Sequence, residues 1–314
     1  MKITLLFSLL FVLGTSGISG FILSGTSDVN LNIHKKDLPE SGLVFVLPSD
    51  SIFDQKFSKA ITRQPEFATV GQKPISVLLE NKTQKTVVAY RIVWAFTTVE
   101  GVTHHSNSTY SSPRALMEGE DLAPDMERQT KKIIPNEGIL FSAIPIGRDG
   151  RPTVAVEATA ERLQKIQQGQ KLDTDELREV AAAQLSKYTD ITVSLDGAFF
   201  DDGTFVGPDS TEFFEEMSAQ IKARRDLLDE ISRRVHSSVP KQEILQDLES
   251  IANQATKSLG PNSTPNDHYN YYRIYYAKHV VRSRKRLGDD EAITEARRSK
   301  DRGWAELRKV APNH

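Results

Sequence analysis

The segment Thr86–Thr97, TVVAYRIVWAFT, sets Val88, Tyr90, Ile92, Trp94 and Phe96 at every second position. At period two these side chains share one face of a β-strand. Five large apolar groups on one side of a single strand demand a second layer opposite them. The segment therefore reads as a central strand over a core, with Trp94 near its middle.

Other stretches carry the same signal. In PISVLLE, residues Ile75, Val77 and Leu79 alternate ahead of the turn NKTQK, and further strands are expected at Leu43–Leu47, Ile139–Ile144 and Thr153–Val156. ITVSL, Ile191 to Leu195, leads into two Asp-Gly turns, Asp196-Gly197 and Asp202-Gly203, the second followed by TFVG. Asp-Gly between apolar runs is a hairpin signal. Seven or eight short strands of this kind predict an antiparallel sandwich of immunoglobulin-like architecture. Two segments interrupt it. His105–Asn136 has no clear period and reads as a long loop. Thr159–Lys187 reads as a helical insertion, with Asp173 and Glu176 at capping-box spacing.

From Asp209 the period changes to helical. Asp209 and Glu212 stand at capping-box spacing, and Phe214, Met217, Ile221, Leu228, Ile231 and Val235 follow at steps of three, four and seven. A second helix starts near Pro240 and aligns Ile244, Leu248, Ile251 and Ala255. A third starts at Thr264-Pro265, with Asp267 completing a capping box, and stops at Gly288. The last begins at Asp289 or Asp290 and lines up Ile293, Ala296, Trp304 and Leu307. The expected fold is thus α+β: a sandwich over 41–207 containing the loop and the insertion, then a helical domain over 208–314 forming a bundle or stacked hairpins.

At 314 residues the chain is long enough for two cores. Its N-terminus, Met1-Lys2 followed by the apolar run Ile3–Leu13 and GTSGISG, has the form of a secretory signal peptide, with Gly17 and Ser19 before the cleavage point. The expected product is periplasmic or extracellular and begins with a flexible segment over 20–40. An uncleaved anchor over Ile3–Leu23 is the alternative. The chain has no cysteine, which excludes disulfides, thiol catalysis and a thiol-linked lipid. An exported chain without disulfides points to a bacterial envelope.

No catalytic or cofactor motif is present: there is no G-x-S-x-G, no phosphate-binding glycine loop and no dinucleotide fingerprint. His104-His105 would point to opposite faces of a strand and share no metal ion. DDGTFVGPDSTE, residues 201–212, lacks the alternating Asp of an EF-hand loop and reads as a hairpin and helix start. No cofactor and no metal are expected, and no enzyme activity is indicated. A hydrolase with its site under the 105–136 loop is the second reading.

One feature points to binding. Five of the eight tyrosines fall between Tyr269 and Tyr276, in a segment that ends in RSRKR. On a helical wheel Tyr269, Tyr272, Tyr276, Val280 and Leu287 share one arc, extended by Ile274, Ala277 and Val281, and make a packing face. Tyr271, Tyr275, Lys278, Arg282, Lys285 and Arg286 fall on the other side, a row of rings and cations suited to a flat anion. It is either the contact surface or a solvated face that docks on the acid-rich segment 190–216. That segment falls within the stretch from Tyr188 to Ile221, which holds eight acids and no Lys or Arg. A net charge of −2 excludes a globally basic nucleic-acid binder. Nucleic acid becomes a partner only if the export signal is misread. The expected partners are another envelope protein, anionic lipid headgroups or acidic cell-wall polymer.

ENKTQKTVVAYRIVW and ITVSLDGAFFDDGTFVGPD, leading into a long helix behind a signal peptide, resemble a loose group of uncharacterised exported bacterial proteins. The resemblance runs from Pro74 to the first long helix. It implies a fold and a compartment and brings no functional residue with it.

Overall fold

The computed structural model describes residues 32–68, 73–116, 131–143, 185–260, 263–301 and 305–310. The signal segment, Thr153–Val156, most of the 159–187 insertion and Trp304 lie outside them. The described chain is α+β with antiparallel sheets. The strands are β1 (Asn32–Lys36), β2 (Leu43–Val46), β3 (Ser76–Asn81), β4 (Val87–Thr98), β5 (Thr103–Ser111), β6 (Gly138–Ser142), β7 (Tyr188–Phe200), β8 (Thr204–Val206) and β9 (Arg308–Lys309). The helices are α1 (Phe53–Ala60), α2 (Phe213–His236), α3 (Lys241–Ala252), α4 (Pro265–Leu287) and α5 (Asp289–Asp301).

The larger sheet runs β5-β4-β7-β8-β9, with β1 beside the first half of β7. The smaller is β2-β3-β6, antiparallel throughout. One apolar cluster joins them: Phe45, Val77, Leu79 and Phe141 from the small sheet meet Tyr90, Ile92, Trp94, Val193 and Leu195 from the large one. The central-strand reading of β4 holds for Tyr90, Ile92 and Trp94. Val88 is the exception, because the register slips between Val87 and Ala89 and both Val88 and Ala89 pack on the opposite face.

Several further expectations need correction. The large sheet is not purely antiparallel, since β1 pairs with β7 and β9 with β8 in parallel. Residues 32–36, expected within a flexible segment, form β1. The loop at 105–136 begins as strand, because Thr103–Ser111 pairs with β4 along its length. Its polar sequence hid it: an edge strand exposed on both sides needs no apolar alternation.

The fourth correction concerns Asp196-Gly197, which is no turn. β7 continues through it, and Asp196 is the extra residue of a bulge opposite Arg91 and Ile92. The buried Asp196 carboxylate accepts from the backbone N–H and hydroxyl of both Ser210 and Thr211, anchoring the approach to α2. Gly197 lies under the Phe205 ring, and a Cβ there would stand 2.3 Å from Phe205 Cζ. Asp202-Gly203 is the real hairpin turn, with Gly203 at φ +81°. The expected capping box at Asp209 and Glu212 does not form either. Asp209 instead accepts from the Phe214 N–H at 2.9 Å, and Glu212 adopts φ 57° at the N-cap.

α2 belongs to two cores. Its first half sets Phe213, Met217 and Ile221 on Val88, Phe199 and Phe205 of the large sheet. Its second half sets Leu227, Leu228 and Ile231 against Ile244 and Leu248 of α3, Ala277 and Val280 of α4, and Ile293 of α5. Ala255, aligned with that face in sequence, lies exposed beyond the end of α3.

Arg91 holds the joint between β4 and α2. Its side chain is 9% exposed, lies 4.4 Å from the Phe213 ring centre, and donates to Thr109 Oγ1, Thr211 Oγ1 and Glu216 Oε2. Removing one member of a buried ion pair strands the other. Arg91→Ala is expected to cost about 3 to 5 kcal/mol in urea denaturation.

Asp202 gives the hairpin a pH signature. Partial burial pushes its carboxyl up, but Lys85 Nζ at 2.7 Å and the Thr204 hydroxyl and N–H outweigh this and bring it down to about 2. A lowered carboxyl pKa stabilises above the ordinary value of 3.8, and that contribution disappears as pH falls through about 2. Screening at a side chain 37% exposed reduces the effect to about 1 kcal/mol. Asp202→Asn is expected to cost that much at neutral pH and nothing below pH 2, read by thermal melts across the acid range.

Candidate functional site

α4 is fixed at both ends by its own sequence. Thr264 Oγ1 accepts from the Asp267 N–H at 3.2 Å, and the Thr264 N–H donates to Asp267 Oδ2 at 2.9 Å, a reciprocal capping box before Pro265. Backbone donation from Thr264 and the nearby Lys257 hold the Asp267 carboxyl below its ordinary pKa. At the other end Gly288 takes φ 83° and ends the helix.

The wheel divides α4 largely as expected. Ile274, Ala277, Val280 and Ser283 are buried, and Tyr269, Tyr272 and Tyr276 are half-buried against α2. Tyr276 packs on the apolar helical core, and the hydroxyls of all three rings make a polar seam with α2. Tyr269 donates to Asp226 at 2.9 Å, Tyr272 to Glu216 at 3.3 Å, and Gln220 donates to the Tyr276 hydroxyl at 3.2 Å. The Lys222 amine stands 4.9 Å from the Tyr269 ring centre and the Arg224 guanidinium 5.5 Å from that of Tyr276. Burial and the Glu216 charge push the Tyr272 hydroxyl well above its ordinary pKa. Leu287, expected on the packing face, is 39% exposed at the helix end.

The other side carries the candidate residues. Tyr275 is 53% exposed and Tyr271 half-buried, each ring edge-on to its neighbour, Tyr276 and Tyr272. Lys278 is half-buried, whereas Arg282, Lys285 and Arg286 are exposed. Among the described residues none of these four cations has a carboxylate partner. Arg273 and Arg284 on the same helix do, pairing with Glu230 and with Glu249 and Asp289.

Docking of this stripe on the acids of 190–216 is not what the structure brings together. Five of the eight acids are engaged elsewhere: Asp202 by Lys85, Glu216 by Arg91, Asp209 and Glu215 by Lys309, and Asp196 by the Ser210-Thr211 turn. α4 reaches that segment through Tyr272, from its opposite side.

Beside the stripe lies a cleft of about 500 Å³ between α2, α4 and α5, which the sequence did not reveal. Leu227, Leu228, Val280, Leu287, Ala292 and Ala296 supply apolar wall. Arg224, Arg286 and Arg298 supply cations, and Glu291 is paired with Arg298 at 3.0 Å. Arg286 thus belongs to both the stripe and the cleft. The sequence signal was faint: an Arg-Leu pair directly before the helix-ending glycine.

Among the described residues no three His, Asp or Glu side chains converge as a metal site. His104 lies beside Tyr188, and its neighbour His105 is exposed. No protein-family model, curated protein or solved structure matches the chain.

The two faces of α4 predict unequal responses to the same chemical change. Tyr272→Phe removes a half-buried hydrogen bond and is expected to cost about 1 kcal/mol. Tyr275→Phe is expected to stay within about 0.5 kcal/mol of the parent in the same denaturation assay.

Proposed function

We propose that this is an exported, non-enzymatic binding protein of the bacterial envelope, which uses the basic face of α4 to hold anionic lipid headgroups. The single observation that carries this reading is the row Lys278, Arg282, Lys285 and Arg286, without carboxylate partners among the described residues and bordered by the exposed Tyr275. From Tyr271 to Arg286 the row extends about 22 Å along the helix. Cations near an anionic membrane surface contribute about 1 kcal/mol each. An aromatic ring with one polar end suits the boundary between headgroup and acyl chain.

The neighbouring cleft favours lipid over cell-wall polymer, since it sets apolar wall for an acyl chain directly beside Arg286 of the basic row, and a hydrated polyanion has no apolar part to place there. Export rests on the N-terminal apolar run, and an immunoglobulin-like arrangement of the two sheets below a small helical bundle completes the proposal. In this arrangement the sandwich serves as scaffold and the helices carry the contact.

The test is co-sedimentation of the full chain with vesicles. Capture is expected with vesicles containing a third of phosphatidylglycerol, to fall with added salt, and to be lost in Lys278→Glu/Arg282→Glu. Equal capture by neutral phosphatidylcholine vesicles, or undiminished capture by the double variant, would overturn the assignment.

A further inference from the structure

β5 ends the large sheet, and its outer edge is unpaired among the described residues. Natural proteins shield such edges with lysine, proline, a bulge or a covering segment. Thr103–Ser111, THHSNSTYS, contains no Lys, Arg, Asp, Glu or Pro. Its register with β4 is continuous from Ala89↔Ser111 to Thr97↔Thr103, so no bulge turns it away. β1, also at the margin of this sheet, is shorter and carries Lys35 and Lys36.

The hydrogen-bond phase fixes which groups are free. The Ser112 N–H donates to Val88 O and the Thr98 N–H to Val102 O, so the even-numbered residues of β5 turn their backbone groups toward β4. Thr103, His105, Asn107, Thr109 and Ser111 therefore direct their N–H and C=O groups outward.

We propose that this edge is the contact strand of a two-fold symmetric dimer, with β5 pairing antiparallel to β5 of a second copy about an axis at Asn107. That register sets Thr103 opposite Ser111 of the partner subunit and His105 opposite Thr109 of the partner subunit. Asn107 faces its own copy. Every outward residue then meets an outward residue, and the strands exchange about ten backbone hydrogen bonds. A one-residue slip removes them all.

The side chains suit a second copy of this strand. No like charges oppose each other, hydroxyl and amide groups face their own kind, and His104 meets Tyr110 of the partner subunit. Val102, 52% exposed just before β5, comes opposite Ser112 of the partner subunit and loses water contact. A foreign peptide would be selected by pockets for alternate side chains, and this strand of Ser, Thr, Asn and His presents no apolar pocket of that kind.

The test is the solution mass of the full chain at tens of micromolar by sedimentation equilibrium, beside two variants. In Asn107→Pro the lost N–H points outward, so no bond to β4 is removed. In Asn107→Lys two ammonium groups meet across the axis. The parent is expected at twice 35.1 kDa, and both variants at 35.1 kDa with an unchanged far-ultraviolet circular dichroism spectrum, which shows that they remain folded. A parent chain at single mass, or doubled mass in either folded variant, overturns the proposal.

Discussion

A guanidinium taken out of water at the joint between a sheet and a helix persists only if nearly all of its donors are met. Arg91 satisfies that condition by drawing in three parts of the chain: Thr109 of β5, the Thr211 turn, and Glu216 with the Phe213 ring of α2. The geometry of the joint follows from this. Glu216, oriented by Arg91, offers its other oxygen to Tyr272 and so fixes the rotation of α4 about its axis. Once Tyr272 faces inward, Lys278, Arg282 and Lys285 must face out. A charge on β4 thereby decides which side of a helix almost two hundred residues later meets solvent.

Much of this was legible in the sequence, and the failures share one physical cause. β4, the Asp202-Gly203 turn, the Thr264 cap, the Gly288 stop and the division of α4 into two sides follow from local period and local chemistry. Asp196, β5, the start of α2 and the cleft do not, because each is defined by what the chain meets at long range. Asp196-Gly197 has the composition of a turn, but its carboxylate is committed to a segment fourteen residues on. β5 shows no alternation because neither of its faces is fully covered. Tyr269, Tyr272 and Tyr276 do take the packing side, but their hydroxyls meet Asp226, Glu216 and Gln220, because a wheel reports direction and is silent on what stands opposite. Val88 was placed on the wrong face because a bulge shifts the period by one residue, which a sequence read at strict period two cannot register.

The contrast between the two sides of α4 also bears on how a binding surface can be recognised. Arg273 and Arg284 are as cationic as Arg282 and lie on the same helix, yet each is neutralised by a carboxylate brought from α2, α3 or α5. Charge count alone would rank them equally. Partnership separates them, and partnership is a property of the fold.

The double duty of α2 has a further consequence. Its 24 residues run about 36 Å, with one stretch seated in the sheet core and the other in the helical core. No cut in a surface loop would release two self-sufficient pieces, because either fragment would lack a wall or carry half of an apolar stripe into water. The helix works as a spine shared by both halves. Evolution can vary the loops freely, but it can add or delete a turn in α2 only by rotating one core against the other.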